Sequence, residues 1–295
     1  MDYVKLYLDY LKYEKNYSDN TILNYEIDLK EFNEYLNSIN SSLISTNYKE
    51  VRGFLEELNE EHFKNGSVSR KISSLKSFYN FMLFKHFLTS SPVELITYPK
   101  KEYRLPKFVE YKELETLFSI PDTTNPLGIR NLLILELLYA SGMRVSELVN
   151  VKLKDIDQNR KEIRVFWKGS VEIISYFGEY ALDALNDYLD YARDDLLKGK
   201  TSEYLFINKN GTRLTDRGVR LIIDNIISSS SVKTKISPHT LRHTFATHML
   251  NEGADLKVVQ ELLGHKNLGT TEVYTHISNE RLRNIYYKTH PRGKM

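Results

Sequence analysis

The 295-residue chain contains no cysteine. Disulfides and thiolate chemistry are therefore excluded, and the composition suits a reducing compartment. Glycine (13 residues) and proline (7 residues) are few; with 41% hydrophobic and 27% charged residues, this is the composition of a globular protein long enough for two domains. No apolar run approaches a membrane span and the start of the chain lacks a signal-peptide pattern, so a cytoplasmic location is expected. No repeat recurs at a solenoid period and no glycine-rich triphosphate loop is present. Net charge is also small, a formal +2.

That charge is unevenly placed. Residues 1–63 carry a net −7, and residues 64–107 a net +7. The basic block holds Arg70, Lys71, Lys76, Lys100, Lys101 and Arg104, interleaved with Phe78, Tyr79, Phe81 and Phe84. Cations among aromatics suggest a nucleic-acid footprint, and those six cations are the candidate DNA contacts. A solvated helix face with its aromatics in the core has the same pattern, and one helix can do both.

Periodicity divides the chain. Apolar residues at Ile22, Tyr25, Leu29, Phe32, Leu36 and Ile39 fall three and four apart, marking a helix over 18–39. Residues 3–14, 48–60 and 68–87 read as helices too, so residues 1–90 are expected to form a four-helix bundle. Pro92, Pro99 and Pro106 with four basic residues mark 91–107 as an extended basic linker. The remainder, 108–295, is mixed. Helices are expected over 111–119, 126–140, 179–197, 215–228, 238–252 and 255–263. "KEIRVFWKGSVEIISYF" predicts two strands around a turn at 168–170, and "YLFINKNGTRL" a strand and a turn at Asn210-Gly211. The fold class is mainly α with a small β-sheet, α+β.

Within this frame, "SPHTLRHTFATHML" (237–250) places Ser237 as an N-cap and Pro238 at the first helical position. His239 and Arg242, three apart, share a face of a first turn whose free amides favour anions. The same residues fit a solvated helix start with a satisfied histidine. Arg144 follows the nearly all-apolar "IRNLLILELLYA" across Gly142, placing it close to the core, where a guanidinium needs an anionic partner. Glu147 can be that partner, or can orient Arg144 toward a substrate anion. "LLGHKNLGTTEVYTH" leaves His265 at a helix end with Tyr274 nine residues on; alone, one tyrosine among 21 carries no signal.

"YASGMRVSEL", "HTLRH", "LLGH" and "TTEVYTH", in this order and spacing, resemble the motifs of the tyrosine recombinases of the phage integrase family, with greatest similarity to the compact Xer type. The resemblance spans nearly the whole chain. "YSDNTILNYEIDLKEF" is similar to the opening of the family's core-binding domain, and "RLRNIYYKTHPRG" to its C-terminal tail. It implies a helical, SAM-like core-binding domain over 1–90, the basic linker 91–107, and a catalytic domain over 108–295 whose tail, from about 280, docks on a neighbouring subunit. It implies site-specific DNA strand exchange through a 3′-phosphotyrosyl intermediate, with Tyr274 as nucleophile. Arg144 and Arg242 would hold the phosphate, His265 would add a hydrogen bond, His239 would accept the phenol proton, and Lys168 would protonate the leaving 5′-oxygen. Glu147 supports Arg144, and His243 packs or orients. The expected partners are double-stranded DNA bearing a specific recombination site, a homo-tetramer or a hetero-tetramer with a second recombinase, and an activating protein. The role would be chromosome dimer resolution or mobile-element excision or integration.

No cofactor is expected. "HTLRH" lacks the glutamate of a zinc-binding HExxH, and arginines can replace a cation. One stretch departs from the family pattern. Trp167 stands where a glycine precedes the lysine, and Val171 and Ile173 where further basic residues follow it. Two lost cations predict a flatter salt dependence of DNA binding. A catalytically weak DNA-binding paralogue with an accessory or regulatory role, or a topoisomerase-like relaxing enzyme, would share much of this pattern. The tail, with Arg281, Arg283, Lys288, Arg292 and Lys294 and an apolar stripe at Leu282, Ile285 and Tyr286, could also fold back on its own domain.

Overall fold

The computed structural model describes residues 2–100, 108–167, 171–230, 236–264 and 278–293, without the side chains of Trp167 and Val171. The chain divides into two units, Met1–Arg104 and Leu105–Met295.

The first unit is helical: α1 (Tyr3–Asp9) continues as a π turn over Tyr10–Glu14, followed by α2 (Asp19–Ser38), α3 (Tyr48–Glu60) and α4 (Asn65–Phe84). The starts follow from capping chemistry. Ser18 Oγ accepts the Thr21 amide at the head of α2, and Asn47 and Glu50 form a reciprocal capping box on α3. The interior is aromatic, with Tyr7, Phe32, Phe54, Phe78 and Tyr79 in one core. Val93 and Ile96 also pack into it, so this core reaches into the stretch expected to be linker.

Helix α4 corrects part of the expected DNA surface. Lys71 is 1% exposed, and its ammonium pairs with Asp28 at 3.3 Å and with Glu31, both on α2. Arg70 also binds Asp28, and donates to the Asn24 carbonyl. The cause is Asp28, a fully buried carboxylate whose pKa burial raises despite Arg70 and Lys71. An uncompensated charge there is costly, so the cations of α4 turn inward. Lys71 is thus an internal staple and Arg70 is tied to the same acid. Lys76 is half-buried beside the Tyr98 ring, 5.2 Å from its centroid, and Lys100 is exposed. Phe78, Tyr79 and Phe81 are core residues, whereas Phe84 is exposed. Lys101 and Arg104 lie outside the described residues.

The second unit runs α5 (Tyr111–Phe118), α6 (Pro126–Ser141), α7 (Val145–Leu148), β1 (Ile156–Asp157), β2 (Glu162–Trp167), β3 (Val171–Tyr176), α8 (Glu179–Tyr191), α9 (Arg193–Leu197), α10 (Asp216–Ser228), α11 (Pro238–Asn251), α12 (Leu256–Leu262) and α13 (Asn279–Thr289). The strands form an antiparallel sheet in the order β1-β2-β3, with Arg164 opposite Ile174 and Trp167 opposite Val171. Helix α6 is the centre. Leu133, Ile134, Leu135, Leu137 and Leu138 are all fully buried, as its all-round apolarity demands. The fold is mainly α with a small sheet.

Two expectations change. The helix over 179–197 breaks at Ala192 into α8 and α9. "YLFINKNGTRL" makes only isolated bridges, Lys152 with Tyr204 and Ile207 with Arg213. The Arg193 guanidinium takes the carbonyls of Ser202, Tyr204 and Leu205, so acceptors that would face a neighbouring strand are bonded to a side chain. Within the single chain, α13 and the turn after it pack on their own unit. Tyr286 is 1% exposed and His290 fully buried against α6 and α11. Among the described residues, no helix is long and apolar enough to cross a membrane.

Candidate active site

The site starts where α6 stops. Gly142 has φ +61°, and a Cβ there would lie 2.7 Å from the Phe245 ring and 2.9 Å from Leu263 Cδ2. Only glycine combines that dihedral with that approach. The turn delivers Arg144 to the N-cap of the short α7. There Glu147 grips it twice: Oε2 accepts the Arg144 amide at 2.6 Å and Oε1 accepts from Nη1 at 2.7 Å. The Glu147 side chain is largely buried, while that of Arg144 keeps about a third of its surface.

Arg242 arrives from α11. Ser237 Oγ caps that helix through the Thr240 amide at 3.1 Å, with Pro238 in the first turn. This fixes the helix start one turn before Arg242 and leaves His239 exposed on it, with His243 half-buried. The Arg242 guanidinium is buried and bridges two helix ends. Nη1 donates to the Gly142 carbonyl and Nη2 to the Leu263 carbonyl, each at 2.6 Å. Nη1 also lies 4.0 Å from Glu147 Oε2. Burial, assisted by the like charge of Arg144 and opposed by Glu147, pushes the Arg242 pKa down to about 10, so it stays cationic at neutral pH.

Two guanidinium groups therefore face one carboxylate. Two guanidinium forks gathered at one point suit an anion with several acceptor oxygens. The Arg242–Leu263 bond also fixes the end of α12 immediately before Gly264 and His265. Ile173 of β3 packs against Gly264, with Cδ1 2.6 Å from where a Cβ would stand. At a position the family pattern makes basic, this chain uses an apolar contact joining the hairpin to the end of α12. Lys168, His265 and Tyr274 lie outside the described residues. Among the described residues, no group of three or more His, Cys, Asp or Glu side chains could hold a metal ion.

Beneath the arginines lies a layer that sequence reasoning missed. His248 of α11 is buried; its Nδ1 is 2.9 Å from Tyr139 Oη of α6, and its ring stacks on Tyr111 at 4.0 Å. Glu136 of α6 is also buried and pairs with Arg292. A signal for the second pair was present: an acid in the apolar middle of α6 requires a cation.

Arg144, partly exposed, and Arg242, buried, are thus gathered around Glu147 in a mainly helical unit that follows a helical unit in sequence. Comparison with known proteins gives that arrangement a family. The Phage integrase family model matches residues 107–281, and the phage integrase N-terminal SAM-like domain model matches residues 4–86. The chain is 45% identical to Tyrosine recombinase XerC of Bacillus subtilis (strain 168), covering 99% of this chain and 97% of that protein. It is 43% identical to Tyrosine recombinase XerC of Staphylococcus epidermidis (strain ATCC 12228), covering 98% and 97%. In fold it is similar to the Tn1549 transposon integrase solved with circular intermediate DNA (TM-score 0.69, 19% identity, 96% of this chain and 98% of that one). It is likewise similar to a lambda integrase dimer bound to a COC′ core site (TM-score 0.70, 20% identity, 94% and 98%). The chain belongs to the tyrosine recombinases of the phage integrase family, and is a site-specific DNA recombinase.

Proposed function

We propose that the recombination site of this chain is built from Arg144, Lys168, His239, Arg242, His265 and Tyr274, with Glu147 orienting Arg144. The carrying observation is the pair of guanidinium groups set around Glu147, at 2.7 and 4.0 Å. Preorganised cations of this kind act on charge that develops on the non-bridging oxygens.

In the forward step the Tyr274 oxygen bonds to phosphorus, and the bond from phosphorus to the 5′-oxygen breaks. The product is a 3′-phosphotyrosyl link and a free 5′-hydroxyl. A phenol has a pKa near 10, so its proton needs an acceptor; His239, exposed one turn before Arg242, takes it. Lys168, between β2 and β3, gives a proton to the leaving oxygen. His265, just beyond the carbonyl held by Arg242, adds a hydrogen bond to the phosphate. In the reverse step the 5′-hydroxyl of the other duplex attacks, so the phosphodiester is conserved without ATP.

The partner is double-stranded DNA with a defined recombination site, contacted in part by Lys76, Lys100, Lys101 and Arg104. Exchange between two duplexes calls for four protomers, either identical or shared with a second recombinase and triggered by an activating protein. Lambda integrase, a structural neighbour, is solved as a tetramer bound to a Holliday junction. Function on a chromosome or a mobile element places the protein in the cytoplasm, at the nucleoid.

The test is covalent trapping on a nicked duplex bearing sequence that flanks the gene, read on a denaturing gel. The unaltered protein should form an adduct, and Arg144→Ala and Arg242→Ala should each slow it by about 10²–10³-fold. Lys168→Ala should be slow on an ordinary 5′-oxygen and restored by a 5′-bridging sulfur, which leaves without a proton. Full activity in either arginine variant would contradict the assignment.

A further inference from the structure

Strand β3 meets the end of α12 through Ile173. In the ladder Ile173 lies opposite Val165, whose side chain is buried in the core of the second unit. The next pair, Phe166 and Glu172, is exposed, so Val165 and Ile173 mark the inward face of the two strands. The ladder ends one pair further on, at Trp167 opposite Val171, and Lys168 is the next residue in the chain. On the inward face Ile173 meets Gly264, where a Cβ would stand 2.6 Å from Ile173 Cδ1. Gly264 has φ +65°, so this glycine serves both the left-handed turn that ends α12 and the approach of the isoleucine.

The same helix end is fastened to the arginines. The Leu263 carbonyl accepts from Arg242 Nη2 at 2.6 Å. Leu263 Cδ2 would lie 2.9 Å from a Cβ on Gly142, the glycine whose carbonyl takes Arg242 Nη1. Leu263 and Gly264 thus join Arg242 on one side to the strand pair on the other. The strands need such a joint. Strand β1 reaches β2 at Glu162 and Ile163, so from Arg164 onward β2 and β3 form a two-stranded ribbon. A ribbon of this kind is marginal alone and takes its position from what it packs against. Proton transfer to a leaving oxygen needs heavy atoms about 3 Å apart, and a misplacement of about 1 Å can cost on the order of 10²-fold.

We propose that Ile173 is a positioning residue for proton delivery: it braces the β2–β3 ribbon against the end of α12, so that Lys168 is set relative to the phosphate that Arg242 holds. Ile173 acts through Lys168 rather than on a reacting atom. The brace rests on the assignment of Lys168 and Arg242 given above.

The experiment compares the full chain with Ile173→Ala on two nicked duplexes of the same site, one with an ordinary 5′-bridging oxygen at the scissile phosphate and one with sulfur there. Sulfur leaves without a proton, so it bypasses Lys168 and keeps every other demand in place. A displaced ribbon should slow adduct formation about 10–100-fold on oxygen but less than about threefold on sulfur, with DNA affinity held within about twofold. In a Lys168→Ala background the same change should cost less than about threefold on oxygen, because the group it positions is gone. Ile173→Val removes Cδ1, the atom that meets Gly264. It should show the same split at smaller size, and it carries the test if Ile173→Ala melts at the assay temperature. Equal losses on both duplexes, no loss on either, or a full further loss in the Lys168→Ala background would overturn the brace while leaving the site assignment intact. No adduct from the unaltered protein, or a Lys168→Ala protein as slow on sulfur as on oxygen, would overturn the site assignment on which the brace rests.

Discussion

Arg242 donates from Nη2 to the carbonyl of Leu263 at 2.6 Å, tying the first turn of α11 to the end of α12. With Nη1 on the Gly142 carbonyl, one guanidinium fastens together two of the backbone turns that build the site. Lysine cannot replace it, because a point charge lacks the fork that reaches both carbonyls. Arg242→Lys should therefore lose both chemistry and stability, slowing adduct formation by about 10²-fold or more and lowering unfolding free energy by about 1–3 kcal/mol. Arg144→Lys, at a half-exposed position, should lose the chemistry with little change in stability. Single-turnover trapping and urea titration separate the two effects.

Gly142→Ala should be among the most damaging small substitutions in the second unit. The positive φ and the Phe245 ring 2.7 Å from the new Cβ act together, and a cost of about 2–4 kcal/mol is expected. A melting curve checks it.

In the first unit, stability and DNA binding should separate residue by residue. Lys71→Met removes a buried partner of Asp28 and Glu31 and should destabilise by about 3 kcal/mol, with the salt dependence of DNA binding unchanged. Lys100→Ala, at an exposed cation, should leave stability alone and lower the slope of log affinity against log salt by about one. Denaturation and salt-dependent gel shifts distinguish them.

Two groups around the tail should give opposite pH slopes. Burial pushes the His290 pKa from 6.5 down to about 3. Between those values the unfolded chain binds the proton and the folded one does not, so this contribution is full above pH 6.5 and lost as pH falls toward 3. Burial, only partly offset by Arg292, pushes Glu136 from 4.5 up to about 7. There the folded state binds the proton, so its contribution is full below pH 4.5 and lost as pH rises through 7. Relative to the unaltered protein, Glu136→Gln should gain on the order of 2 kcal/mol from pH 5 to pH 8, and His290→Phe should flatten the acid limb. Denaturant melts at stepped pH values measure both.

How much of this was legible in the sequence differs by residue. Ser237-Pro238 announced α11, and the steps of three and four from Ile22 to Ile39 announced α2, because capping and burial act over a few residues. Gly142 announced its own turn. The pairing of Arg144 with Glu147 was readable because the partners are three apart. Lys71 was misplaced because Asp28 and Glu31, its partners, lie 43 and 40 positions away. Composition counts a cation but not the acid it meets in the fold. The Arg292–Glu136 pair, 156 positions apart, was hidden for the same reason. The expected strand in 204–214 failed because Arg193 bonds its carbonyls, which no period in the sequence reveals.

The central claim is that two guanidinium groups hold a phosphate for attack by Tyr274. The most direct measurement is to trap the covalent adduct, digest it with protease and nuclease, and locate the remaining nucleotide by mass spectrometry. The account predicts a 3′-linked nucleotide on Tyr274 alone, absent from Tyr274→Phe. A nucleotide on any other residue, or an adduct that persists in Tyr274→Phe, would contradict it.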